Sequence, residues 1–157
     1  MSANTTRGTR TAARTALLNA VRASALLPSG VAVLRGWSGI DFRNNQIYVA
    51  RVEGNVELPS IMGGRQERRD TYEMTVLCQA AGPLDRTGET CEAACETYMD
   101  AVLDVIANAD TAGGLIDQVP GLWIVEPGRT EGPDPEATEQ GYVAFGTVVV
   151  RCVANTD

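Results

Sequence analysis

An α+β fold, with an antiparallel or mixed β-sheet and two α-helices packed on one face, follows from three features of this sequence. Helical periodicity occurs in two separated segments, near the N-terminus and in the middle of the chain, with strand-like segments between and after them. In one segment, Thr71 to Ala80, apolar Tyr72, Met74, Val76, Cys78 and Ala80 alternate with Thr71, Glu73, Thr75, Leu77 and Gln79, as in a strand with one covered face. The resulting order brackets a run of strands with helices and favours helices segregated to one side of the sheet. At 157 residues the chain fits a single domain spanning 1–157, large enough to bury a core without metal or disulfide.

The first helix is expected over Thr9–Ser24. Ala13, Leu17, Ala20, Val21 and Ser24 share one face, Arg10, Arg14 and Arg22 lie off it, and Leu27-Pro28-Ser29-Gly30 ends it. Val31–Trp37 and Gln46–Glu53 read as strands, joined by Ser38–Asn45 with turn chemistry. Gly54–Gly64 reads as a linker. In the clearest strand Tyr72, Met74, Val76, Cys78 and Ala80 form the apolar set, which requires a cover.

A second helix supplies it, starting with Thr87 as cap and running to about Ala109. Cys91, Ala94, Cys95, Tyr98, Val102, Val105, Ile106 and Ala109 form its apolar stripe. Opposite that stripe Glu92, Glu96, Asp100 and Asp104 repeat every fourth residue. Like charges at this spacing repel by a few tenths of a kcal/mol per pair, so a partner or solvent must offset them. Leu115–Val119 and Leu122–Glu126 read as strands, Pro127–Gln140 as a mobile loop, and Gly141–Val153 as a strand apolar on both faces. The ends, 1–8 and 154–157, are expected to be flexible.

Charge and composition exclude several functions. The net charge is -7. Five arginines (Arg7, Arg10, Arg14, Arg22 and Arg35) and no acid precede Asp41, and from there 8 arginines stand against all 20 acids. An acidic body disfavours wrapping a phosphate backbone. All 13 basic residues are arginine; GC-rich coding or a preference for forked interface pairing would each explain that. No apolar run approaches the roughly 18 residues that span a bilayer, and the polar start lacks a secretory pattern, so synthesis in the cytoplasm and no membrane partner are expected.

The chain has no His, which removes triads of the Ser-His type and the usual zinc sets, and no Lys for a phosphate loop. Cys78, Cys91, Cys95 and Cys152 read as buried reduced thiols. Trp37 and Trp123 read as core or interface anchors. No enzymatic activity and no cofactor are expected.

The ordered features resemble one family. An N-terminal amphipathic helix leads to Val31-Ala-Val-Leu-Arg-Gly-Trp37 and then to Ile47-Tyr-Val-Ala-Arg-Val-Glu53. Met62-Gly-Gly-Arg-Gln-Glu-Arg-Arg-Asp-Thr-Tyr-Glu-Met-Thr-Val76 follows, then the acidic amphipathic helix and a closing Val-rich strand. This set is similar to the tail terminator (tail completion) proteins of long-tailed bacteriophages, over about Thr9–Val153. The resemblance implies a virion protein, assembled in the host cytoplasm, that forms a homo-hexameric ring on the head-proximal end of the tail tube. That ring would stop polymerisation of the tail tube protein and present a surface to head-completion (connector) proteins. Genomic DNA would pass through without specific binding, past an acidic wall that repels it. Pro127–Gln140 departs from the family pattern in being longer and more acidic.

A closed ring needs heterologous contacts, one patch meeting a different patch on the neighbour. The candidate interface residues are Arg65, Arg68 and Arg69 on one subunit, facing Glu92, Glu96, Asp100 and Asp104 on the next. Solvation of both sets, or pairing of the acidic row with Arg10, Arg14 and Arg22 of its own chain, is the alternative. A head-completion or neck adaptor protein is the neighbouring functional reading, and a small-molecule-binding α/β module the reading from another class.

Overall fold

The alternation around Tyr72 builds the centre of the molecule. The computed structural model describes residues 8–37, 45–58, 61–62 and 65–156, with backbone only for 61–62 and 65–66. Within them run α1 (Arg10–Arg22), β1 (Ala32–Leu34), β2 (Gln46–Glu57), β3 (Ile61–Met62), β4 (Arg65–Gln66) and β5 (Arg68–Gly82). Then come α2 (Glu89–Ala107), α3 (Leu115–Gln118), β6 (Leu122–Thr138) and β7 (Gly141–Thr156). The mixed sheet has the order β1-β2-β5-β7-β6, in which β1 and β2 are parallel and the other neighbours antiparallel. β3 and β4 pair as a separate short ribbon.

One face of the sheet is the core. Tyr72, Met74, Val76 and Cys78 of β5 stand opposite Cys152, Val150, Val148 and Gly146 of β7, all with essentially no exposure. The α2 stripe of Cys91, Cys95, Tyr98, Met99, Val102 and Ile106 lies on them. Its approach is so close that a Cβ at Gly146 would collide with the Met99 sulfur. α1 adds Ala13, Ala16, Leu17, Leu18 and Val21 to the same cluster. Each fully buried Leu or Val contributes roughly 1.5–3 kcal/mol, which is why two short amphipathic helices hold their places.

The start of α2 is organised by Asp85 instead of Thr87. The Asp85 carboxylate accepts the backbone N–H groups of Thr87 (3.1 Å), Gly88 (3.0 Å) and Cys91 (3.0 Å), while Thr87 accepts only from Glu89 at 3.3 Å. Those bonds, the one from Cys91 foremost, hold the Asp85 pKa below its ordinary value. Gly88, the residue before the helix, has φ 85°, a conformation glycine adopts without strain.

Four expectations need correction. Leu115–Val119 is not a strand: Leu115–Gln118 is the short helix α3, because Gly114 starts a turn closed by Gln118 N–H to Gly114 O (3.2 Å). Pro127–Gln140 is not a loop for most of its length, since β6 runs on to Thr138 against β7. Two of its three register breaks, Pro127/Thr130 and Glu131/Asp134, accommodate Pro and Gly residues, and an edge strand tolerates proline on its unpaired side. The expected flexible tail begins inside β7, where Ala154 is 1% exposed. β2 also continues to Glu57, into the expected linker. Residues 1–7, 38–44, 59–60, 63–64 and 157 lie outside the described residues, and so does much of the Ser38–Asn45 turn.

Candidate functional site

The acidic row sits where the periodicity puts it. Glu96, Asp100 and Asp104 are exposed along the outer side of α2 and Glu92 is half-buried; none forms an ion pair among the described residues. The N-terminal arginines turn elsewhere. Arg10 holds Asp70 with two bonds, Nε to Oδ2 at 2.9 Å and Nη2 to Oδ1 at 2.8 Å. Arg22 donates to Val33 O (2.8 Å) and Asn19 Oδ1 (2.7 Å). The Nε of Arg14 is buried without a hydrogen-bond partner. Pairing of α2 with its own chain's Arg10, Arg14 and Arg22 is therefore absent among the described residues.

The Arg10–Asp70 pair belongs to a polar corner that ties the start of α1 to β5. Asp70 is 2% exposed, the Arg10 guanidinium stacks 5.2 Å above the Tyr72 ring, and the Tyr72 hydroxyl is 2.8 Å from Thr9 Oγ1. Burial raises the Tyr72 pKa well above its ordinary value, so the phenol stays neutral. The hydrogen bond from Arg10 to Asp70 likewise raises the guanidinium pKa. These partners are about 60 residues apart in sequence, with no local signal to reveal them. The corner is saturated internally and serves as a clamp.

Of the candidate arginines, the two whose side chains are described diverge. Arg68 follows the core-face alternation with Asp70 and Tyr72; its guanidinium lies over Gly8, where a Cβ would stand 3.1 Å from Nη2, and its Nε is buried without a partner. Arg69 leaves the opposite face, exposed, with Nε donating to Asn155 Oδ1 at 3.3 Å. Arg65 lies in β4, where only the backbone is described. Arg68 and Arg69 thus do not form one patch.

The second face of the sheet is where the uncovered charge collects. One row crosses four strands: Glu53 opposite Glu73, Glu73 opposite Arg151, and Arg151 opposite Glu126. Arg151 pairs with Glu126 (3.3 Å) and Arg51 with Glu53 (3.3 Å), leaving Glu73 exposed without an ion pair among the described residues. Such exposed pairs are worth about 0–1 kcal/mol each, so this face contributes little to folding. Toward the other end the same face is closed: Gln79 is 4% exposed and Gln46 Nε2 donates to Gln79 Oε1 at 3.1 Å.

Trp37 (60% exposed) and Trp123 (59%) are surface residues, which removes the core reading and leaves that of interface anchors. The four thiols are free and buried. Burial drives the Cys95 and Cys152 pKa up to about 12 and raises those of Cys78 and Cys91, so all four stay protonated and poor nucleophiles. An open depression of about 200 Å³ between Ala20, Ser24, Asp104, Asn108 and Gln118 is smaller than the roughly 300–1,000 Å³ of typical ligand pockets. No group of three or more metal-ligating side chains occurs among the described residues.

No family profile matches the chain, and no curated protein matches it in sequence. Among solved structures it is similar to a chain of the virion of a native gene transfer agent particle. The TM-score is 0.52 at 15% identity, over 90% of this chain and 93% of the other. At that identity the likeness shows a shared fold.

Proposed function

We propose that this chain is a structural subunit of a phage-like virion, a tail terminator that closes into a hexameric ring on the head-proximal end of the tail tube. The observation that carries the reading is the near full-length likeness to a chain of a gene transfer agent virion. The distribution of surface groups supports it. Two tryptophans and an ionic sheet face are left to solvent, while the polar groups of the Arg10 corner and all four thiols are consumed inside the fold. The ring stops addition of tail tube protein, offers its outer side to head-completion proteins, and lets DNA pass an acidic wall.

For the contact between neighbours, Arg69 is the better placed of the two candidate arginines whose side chains are described. It faces out from the bare side of the sheet, and Glu96, Asp100 and Asp104 face out from the helix side. Helix side against bare side is a heterologous contact, the kind a ring requires. Arg69→Glu weakens association of the ring and Asp100→Arg in the same chain restores it; unchanged association in Arg69→Glu removes this pairing.

Deleting the gene tests the larger reading. A terminator's loss gives filled heads beside overlong or unfinished tails. Tails of normal length that fail to join heads would mean a neck adaptor protein, and normal particles would refute a virion role.

A further inference from the structure

The two edges of the sheet are unlike in length, charge and side chain. β1 has only three residues and is flanked by exposed Leu26 (48%) and Trp37 (60%). Around β1 the charge is cationic, since the sequence before Asp41 has arginines and no acid, whereas beyond Tyr48 the edge passes to β2, which carries Glu53 and Glu57. Exposed Arg35 donates to Thr15 Oγ1 at 2.7 Å, and exposed Arg22 to Val33 O and Asn19 Oδ1. All three acceptors are neutral, so neither cation is balanced by a carboxylate among the described residues.

β6, at the far edge, is long and acidic. Trp123 stands exposed in the register break between Leu122 and Ile124. Glu126 and Glu131 have their own arginines, Arg151 and Arg129, whereas exposed Asp134 and Glu136 have no ion-pair partner among the described residues. One edge therefore offers a tryptophan with unbalanced cations, and the other a tryptophan with unbalanced anions.

We propose that copies of this chain associate head-to-tail through these edges. The β1 edge of one copy, with Trp37 and Arg35, lies on the β6 edge of the next, with Trp123, Asp134 and Glu136. Tryptophan and arginine are the side chains that most often carry binding energy when desolvated, and opposite charge fixes their register. The contact is made by side chains and not by extending the sheet. Pro127, Pro133 and Pro135 with three register breaks spoil β6 as a ladder, and β1 is too short to supply one.

The sense of the overlap follows from the faces. Arg35 reaches α1, so its patch is on the helix side. Asp134 and Glu136, themselves exposed, stand opposite Phe145 and Val143, on the face away from α2 and at its closed end, where Val143 is 1% exposed. Copies therefore overlap like shingles, the helix side of one over the opposite side of the next, in the same sense as the Arg69 pairing. Because the two patches differ, the contact repeats until the rotation closes. The proposal deepens the ring reading and rests on it only for the number of copies.

Sedimentation of the full-length chain tests it, with Trp37→Glu and Trp123→Glu as variants and circular dichroism as the check on folding. Both residues are exposed, so each variant keeps the fold. The wild-type chain is expected to sediment as a closed oligomer and each variant alone as a monomer. Each variant retains the patch that the other has lost, so a mixture of the two stops at a one-to-one dimer. A monomeric wild-type chain, a variant that assembles alone, or a mixture that stays monomeric would overturn the proposal. Failure of the mixed dimer with the chain still present in particles removes this contact alone. A mixed dimer from a chain missing from particles removes the virion reading alone.

Discussion

The two faces of β5 and β7 are made by the same strands and have opposite fates. On the core face, Tyr72, Met74, Val76 and Cys78 meet Cys152, Val150, Val148 and Gly146, and every one is sealed under α1 and α2. On the bare face, Glu73 stands between Glu53 and Arg151, and the nearest ion pairs are half-exposed. Core side chains are chosen by volume, so their loss unfolds the protein. Bare-face side chains are chosen by charge, so their loss leaves the fold intact and alters what it meets.

Met74→Ala probes that contrast from the core side. Removing a buried methionine destabilises by about 2–5 kcal/mol, read as a lower urea midpoint with unchanged slope. A loss below about 1 kcal/mol would mean that the core face is not packed as described. Next is Asp70→Asn, which leaves the Arg10 guanidinium with a neutral partner in a place where Asp70 is 2% exposed. Bonds to charged groups suggest a loss of about 1.5–3 kcal/mol, with α1 the first element to lose amide-exchange protection.

Asp85→Asn acts at the start of α2 and sharpens the contrast through pH. The folded pKa of Asp85 lies below the unfolded one, so its contribution is present above about pH 4 and is lost as the solution is acidified through that range. The wild-type Tm accordingly falls on acidification by more than that of the variant, and the two curves converge at low pH. Near neutral pH the variant melts on the order of a few degrees lower. Parallel curves would contradict the role of Asp85. The smallest effect belongs to Glu73→Thr on the bare face, within about 0.5 kcal/mol of wild type in urea. A large loss there would show that the face is part of the core.

How legible this was in the sequence follows the same division. Thr71–Ala80 announced the covered strand because period-two alternation has one structural meaning over ten residues. The α2 stripe announced its cover. Leu115–Val119 was misleading because a four-residue apolar stretch fits a short helix or a strand equally, and Gly114 decides between them only through its conformation. β6 was hidden by Pro127, Pro133 and Pro135, which look like loop chemistry unless the strand is known to be an edge. The Arg10–Asp70 clamp and the divergence of Arg68 from Arg69 depend on pairing across the sheet. Exposure of Trp37 and Trp123 depends on where the helices stop covering it. Neither is set by local pattern.

The most direct measurement is an electron cryomicroscopy map of purified particles, fitted with this chain. The account predicts a ring of copies at the head-proximal end of the tail, with Trp37 of each copy against Trp123 of its neighbour and the charged face of the sheet covered. A map lacking the chain, or a ring in which both tryptophans and the Glu73–Arg151 row face solvent, would contradict it.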